Sequence, residues 1–263
     1  MNRTDQIDAL PRQTSLVVAL VPAAGRGIRM GGSVPKQFLS IGGEPLIVHS
    51  LRILQAAPVI DQIILAVPSA DIEYCEKEIV SRHRFTKVTT VVPGGAERQD
   101  SVRCALAQVP LDADIVLIHD AVRPFVTQRM IEEVVAAARQ EGAAIIALPM
   151  RDTVKQVGTD GMIQRTVDRT PLWLAQTPQA FRRDWIETAH RKGQSEGVQA
   201  TDDSSLVEWL GYSVAVVEGS GENIKVTRPE DMVIGSDSGI AIQEKFLVIR
   251  HWSMGKQCRS VCM

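Results

Sequence analysis

Short, continuous apolar runs recur along the chain and are separated by stretches in which apolar residues return every three or four positions. The runs Leu16–Val21, Gln62–Val67, Val88–Val92, Ile115–Ile118, Ala144–Leu148 and Tyr212–Val217 are rich in Val and Ile and lack in/out alternation. That is the pattern of parallel strands covered on both faces. Between them, Pro45–Ala56, Asp71–Arg82, Gln99–Gln108 and Gln128–Gly142 read as amphipathic helices. The βαβα order predicts an α/β fold with a doubly wound, mostly parallel sheet, whose ligands sit outside the carboxyl ends of the strands. The rhythm breaks at about 150–171. There, Thr153–Val157 and Ile163–Val167 flank Gly158-Thr159-Asp160-Gly161, the signature of an inserted β-hairpin that reaches from one sheet edge toward a partner subunit. One domain is expected over 15–238. Residues 1–14 are expected to be loosely held, and 239–263 form a tail with no assigned role.

Composition narrows the function classes. The 263 residues are 44% hydrophobic and 23% charged, with a formal net charge of -2. There is no global attraction to nucleic acid or to an anionic membrane, so an anionic ligand must be held by local cations. Leu16–Val21 with Pro22-Ala23-Ala24-Gly25 imitates a signal peptide, but it is only six residues long and is preceded by Asp5 and Asp8. A buried first strand explains it better, and a cytoplasmic protein is expected. Four scattered cysteines, Cys75, Cys104, Cys258 and Cys262, read as reduced thiols; a zinc site of Cys258 and Cys262 with His251 is the weaker reading.

Candidate chemistry gathers at the predicted strand ends. After the first strand comes Pro22-Ala23-Ala24-Gly25-Arg26-Gly27-Ile28-Arg29-Met30, then Pro35-Lys36-Gln37. A dinucleotide fingerprint would need a third glycine where Met30 stands, and a P-loop would need Gly-Lys-Ser/Thr. Two readings stay open: a glycine loop whose amides approach a triphosphate neutralised by Arg29 and Lys36, or a plain glycine turn with solvated cations. Gly94-Gly95-Ala96-Glu97-Arg98-Gln99-Asp100-Ser101 opens a helix, either to present amides and a hydroxyl to a base or ribose, or simply as a capped start. In His119-Asp120-Ala121-Val122-Arg123-Pro124, Asp120 faces the expected crevice, either to hold a hydroxyl or metal or to pair with Arg123. His119 reads as a packed strand-end residue rather than a base. The remaining polar segments, Arg151-Asp152-Thr153, Asp168-Arg169-Thr170, Gln176-Thr177-Pro178-Gln179, Thr201-Asp202-Asp203 and Asn223-Ile224-Lys225, are singly ordinary turns. Together they would suit a phosphorylated polyol.

In this order and spacing, PAAGRGIRM with PKQ, GGAERQDS, HDAVRP, RDTVK, TVDRT, QTPQAF, TDD and NIKVTRPED resemble the 2-C-methyl-D-erythritol 4-phosphate cytidylyltransferases of non-mevalonate isoprenoid synthesis, from about Leu16 to Met232. The resemblance implies a Rossmann-like nucleotidyltransferase fold and a homodimer embraced by the hairpin arm. It also implies attack of a substrate phosphate on the α-phosphorus of CTP, with Mg²⁺ held mainly by the CTP phosphates. Arg29 and Lys36 match the cations that stabilise the transition state. Arg169, from the partner's arm, and Lys225 match those that position the acceptor. Pro22, Ala23, Ala24, Gly25, Gly27, Gly94, Gly95 and Ser101 match the nucleotide site, and Asp120, Arg123, Thr153, Thr177 and Thr201 the surroundings of the acceptor. Ala96 departs from the family, whose members often carry a polar residue there. A relative acting on ribitol 5-phosphate and a non-catalytic nucleotide-binding protein are the rival readings; a fusion to the pathway's cyclase is set aside because too little chain follows Met232.

Overall fold

A computed structural model describes residues 15–25, 34–228 and 230–232. The expected loose N-terminal segment, the tail from 239, and Gly27 and Arg29 of the glycine loop lie outside them. A seven-stranded sheet has the order β11-β7-β10-β6-β1-β4-β5. Its strands are β1 (Leu16–Pro22), β4 (Gln62–Val67), β5 (Val88–Pro93), β6 (Ala113–Ile118), β7 (Ala143–Pro149), β10 (Trp173–Arg182) and β11 (Ala215–Glu218). All pairings are parallel except those of β10, which runs antiparallel to both β6 and β7. Two small ribbons complete the strands: β2 (Ser40–Ile41) with β3 (Glu44–Pro45), and β8 (Val154–Val157) with β9 (Ile163–Val167).

The sheet is covered on both faces because successive residues of each central strand point opposite ways. Val17, Ala19 and Val21 of β1 share one core with α1 (Leu46–Ala56), the α2 segment (Ile72–Tyr74, continuing as a π-helical stretch over Cys75–Ser81) and α4 (Gln128–Glu141). Val18 and Leu20 share the other with α3 (Arg98–Leu106), α5 (Arg183–Ser195) and α6 (Asp203–Trp209). The Thr127 hydroxyl caps α4 by accepting from Met130 N, and Gly142 ends it at φ 91°, a left-handed value suited to glycine.

Two expectations need correcting. The polar segment Gln176-Thr177-Pro178-Gln179, read as a turn, lies inside β10, where the register with β7 shifts between Ala175 and Gln179. A proline is tolerated at such a bulge, and the bulge turns polar side chains out of the ladder. The last strand begins at Ala215 rather than Tyr212. Gly211 (φ 87°) closes the turn after α6, and the Tyr212 ring is drawn instead onto Trp185, with centroids 4.1 Å apart.

Candidate active site

The carboxyl ends of β1 and β6, the start of α3, the bulge of β10 and the chain after β11 enclose a cleft with two adjoining lobes, of about 210 and 230 Å³. Pro22, Ala23, Ala24, Gly25, Lys36, Gln37 and Ser101 line the first; Arg123, Gln176, Thr177, Gln179, Thr201 and Asp202 line the second. Arg98, Asp120 and Lys225 line both.

Small residues bring the walls of the first lobe together. A Cβ on Gly94 would come within 2.3 Å of the Ala24 Cβ and 2.8 Å of Ser101 Oγ, so the two glycine segments approach as closely as backbone allows. Ser101 Oγ accepts from Gly95 N at 3.2 Å and donates to the Glu97 carbonyl at 3.2 Å. Glu97 and Asp100 form a reciprocal capping box that sets the first turn of α3 and places Arg98 at the mouth of the cleft.

The electrostatic centre is Asp120, 5% exposed. Its carboxylate receives Arg98 Nε at 2.9 Å on one oxygen and Lys225 Nζ at 2.7 Å on the other. The expected partner Arg123 stands back at 3.9 Å, its Nη1 donating at 2.7 Å to the carbonyl of Asn223. Burial pushes the Asp120 carboxyl up, but the charges and hydrogen bonds of Arg98 and Lys225 outweigh it and hold the group well below the usual carboxylate range. Arg98 also pairs through Nη1 with the buried Asp203 at 2.7 Å, whose other oxygen meets His190 Nε2 at 3.0 Å. Burial works against its charge, but the two carboxylates raise its pKa further above the usual arginine value.

His119 is fully buried, and its hydrogen bonds fix its proton. Nε2 lies 3.2 Å from the Arg123 carbonyl, which can only accept, so the neutral ring carries its N–H there. Nδ1 is then the acceptor for the Thr177 hydroxyl at 3.2 Å, whose oxygen accepts from Asp120 N at 3.1 Å. Burial pulls this imidazole down to about 4, so it is neutral near pH 7. It is an orienting group for the 119–123 loop, with both nitrogens occupied.

Lys225 reaches the cleft because the preceding residue but one is anchored: the fully buried Asn223 donates to the Thr177 carbonyl at 2.9 Å and to Gln176 Oε1 at 3.2 Å. One residue on, Val226 N donates to the Val122 carbonyl at 2.9 Å. Thr153 and Arg169 are exposed near the base of the β8–β9 arm and do not line the cleft of their own chain, and Arg169 donates to the Arg151 carbonyl. Arg98, Asp203 and Asn223 were not singled out from sequence. The available signal was Arg98 itself, a cation at the positive end of a helix, which calls for nearby carboxylates.

A family model described as 2-C-methyl-D-erythritol 4-phosphate cytidylyltransferase (IspD) matches residues 17–237. A protein of Syntrophotalea carbinolica with that name is 50% identical over 219 residues, which is 83% of this chain and 94% of the relative. Among solved structures, 4-diphosphocytidyl-2C-methyl-D-erythritol synthase from Anaerococcus prevotii aligns with a TM-score of 0.75 at 30% identity, covering 86% of this chain and 96% of that one. The Thermus thermophilus 2-C-methyl-D-erythritol 4-phosphate cytidylyltransferase aligns at 0.70 and 33% identity, covering 85% and 98%. The α/β fold with its mostly parallel seven-stranded sheet is that of these enzymes. The chain belongs to the 2-C-methyl-D-erythritol 4-phosphate cytidylyltransferase family.

Proposed function

We propose that this protein transfers CMP from CTP to 2-C-methyl-D-erythritol 4-phosphate, giving 4-diphosphocytidyl-2-C-methyl-D-erythritol and pyrophosphate. A phosphate oxygen of the acceptor forms the new bond to the α-phosphorus, and the bond to the bridging oxygen breaks, so pyrophosphate leaves with the electron pair. The observation that carries the reading is the two-lobed cleft in which Arg98, Asp120 and Lys225 stand at the junction, between the glycine-lined lobe that contains Lys36 and the polar lobe of Thr177 and Thr201. A phosphate monoester is already an anionic nucleophile, so the demand is alignment and charge neutralisation rather than a strong base. The buried, neutral His119 suits that demand.

In this reading Pro22, Ala23, Ala24, Gly25, Gly27, Gly94, Gly95 and Ser101 hold the nucleotide, while Arg29 and Lys36 neutralise charge developing at the phosphates. Asp120, Arg123, Thr177, Thr201 and Lys225 receive the acceptor. Mg²⁺ would neutralise the triphosphate and be held mainly by its oxygens. In support, Asp120, a carboxylate that lines the cleft, is already compensated by Arg98 and Lys225. The protein acts as a cytoplasmic homodimer in which the arm carries Thr153 and Arg169 to the neighbouring cleft. Supporting this, Val157, Met162 and Ile163 of the arm are 52%, 68% and 63% exposed, and a lone two-stranded hairpin is marginal in water. No helix among the described residues is long and apolar enough to cross a membrane.

The test is pyrophosphate release by the purified protein with CTP, Mg²⁺ and methylerythritol phosphate, with ribitol 5-phosphate and the other three nucleoside triphosphates in parallel. Release confined to CTP with methylerythritol phosphate is expected. Release with ribitol 5-phosphate alone would overturn the acceptor, and silence from folded protein with every pair would overturn catalysis.

A further inference from the structure

Five ionisable side chains from separate parts of the chain form one line through the wall of the cleft: Lys225, Asp120, Arg98, Asp203 and His190. Its contacts measure 2.7, 2.9, 2.7 and 3.0 Å in that order. Asp120, Asp203 and His190 are buried, whereas Lys225 and Arg98 keep 35% and 26% of their side chains exposed, at the cleft. Two features of this line are unusual. Arg98 occupies the first turn of α3, where the helix dipole opposes a cation, and its Nη2 is buried without a hydrogen-bond partner. A residue placed there against both costs is held by its two carboxylates.

Lys225 is tied to Asp120 here, yet in the proposed reaction it must turn to the acceptor phosphate. Without another cation, its departure would leave a buried carboxylate uncompensated, which is strongly unfavourable. Arg98 removes that obstacle. It contacts the other Asp120 oxygen and is itself anchored by Asp203, so it stays when Lys225 leaves. Arg123, at 3.9 Å and engaged with the Asn223 carbonyl, is poorly placed to substitute.

We infer that Arg98 is a positioning residue that keeps Asp120 compensated and so releases Lys225 from it to bind the acceptor phosphate. The inference rests on the cytidylyltransferase reading and deepens it by naming what sets the acceptor-binding lysine free. The groups facing Asp120 are Arg98 from α3, Lys225 from the chain after β11, Arg123 and His119 from its own strand end and loop, and Thr177 from β10; Asp203 and His190 stand behind Arg98. His119 is neutral and turned toward Thr177 and the Arg123 carbonyl, so among these groups the carboxylate's charge is met chiefly by Arg98 and Lys225.

Arg98→Gln removes the charge while keeping an amide donor. Lys225 should then be held by Asp120, raising KM for methylerythritol phosphate on the order of 10- to 100-fold, the range for a lost charged hydrogen bond. KM for CTP should change less than about threefold by the same argument, since Lys36 and the glycine segments are untouched. Burial would no longer be fully offset at Asp120, so its pKa should rise, and the KM penalty should shrink as the pH is lowered through the new value, because a protonated Asp120 no longer holds Lys225. Arg98→Lys, which restores a cation, should recover most of the loss. Carbon-13 titration of the Asp120 carboxyl gives the same answer without turnover: ionised to well below the usual range in the wild type, titrating higher in Arg98→Gln. If Arg98→Gln does not fold, the wild type alone decides. Saturating methylerythritol phosphate should shift the Lys225 amine resonance while the Asp120 carboxyl stays ionised. Losses spread equally over both substrates with an unmoved carboxyl titration, or a Lys225 resonance unaffected by bound acceptor, would overturn the inference. A folded wild type that releases no pyrophosphate would sink the functional reading instead, and the carboxyl titration would still judge whether Arg98 compensates Asp120.

Discussion

Asp120 and Arg169 sit in opposite surroundings. Asp120 is 5% exposed and meets two cations delivered by α3 and by the chain after β11; Arg169 is exposed beside the hairpin arm and donates to the backbone carbonyl of Arg151. The cleft around Asp120 is assembled within one chain: the capping box sets Arg98, buried Asn223 sets Lys225, and the β10 bulge sets Thr177. The arm has no core beneath it, and its apolar residues Val157, Met162 and Ile163 face outward. A charged contact preorganised in a cleft stabilises a transition state with little further ordering, whereas an exposed arginine gains that power only when a partner desolvates it. The contrast separates groups that act within their own subunit from groups that act across the proposed dimer.

The sharpest way to break that division is at the glycine-lined lobe. Lys36→Ala and Arg29→Ala should each lower kcat about 10²–10³-fold with circular dichroism and melting unchanged, as for loss of one preorganised contact to developing charge. Near-normal kcat in either variant would remove that residue from the chemistry and leave the cleft's internal cations, Arg98 and Lys225, as the ones that matter.

The arm predicts a smaller loss with a distinctive repair. Arg169→Ala should reduce kcat/KM roughly 10- to 100-fold, the range for a lost charged hydrogen bond. Mixing it with Lys36→Ala subunits rebuilds one intact site per heterodimer: the cleft with Lys36 receives the arm with Arg169. A random mixture of a twofold dimer should then recover about a quarter of wild-type activity. No recovery despite demonstrated subunit exchange would place Arg169 in its own cleft or outside the reaction.

Elements of the fold also differed in how far the sequence disclosed them. β1, β4, β6 and β7 were legible because strands buried on both faces have no room for polar residues, and their apolar runs mark themselves. β10 was hidden. Its first three residues are exposed, its middle turns Gln176 and Thr177 into the cleft, and only Ala180 and Phe181 join the hydrophobic core, so no single periodicity runs through it. α5 was hidden for a different reason: Trp185, Ile186 and Ala189 give it an apolar side, but charged and polar residues outnumber them, so the stretch as a whole is hydrophilic. Lys36, Asp120 and Lys225 were found through the order of short motifs, and their side chains do line the cleft. Arg98 lies within the GGAERQDS motif, but its meaning depends on Asp203, which is 105 residues away in sequence and is brought to it only by the fold.

The gentlest test concerns the arm's apolar face, and it sharpens the contrast from the other side. Met162 is 68% exposed in the single chain, so Met162→Ser removes almost nothing from the subunit's own core. If the face is covered by a second subunit, the same change loses part of the burial free energy of a methionine, about 1.5 kcal/mol, at each of the two arms of a twofold dimer, which weakens dimerisation on the order of 100-fold. Sedimentation should therefore show a right-shifted dimer equilibrium while the melting of the isolated subunit stays where it was. Activity should fall at low protein concentration and return as concentration rises, because dimer formation would again be driven by mass action. A dimer constant unmoved by the substitution would mean that the seam lies elsewhere. The exposed Trp173 and Leu174 at the start of β10, 43% and 48% accessible, would then be the next face to change.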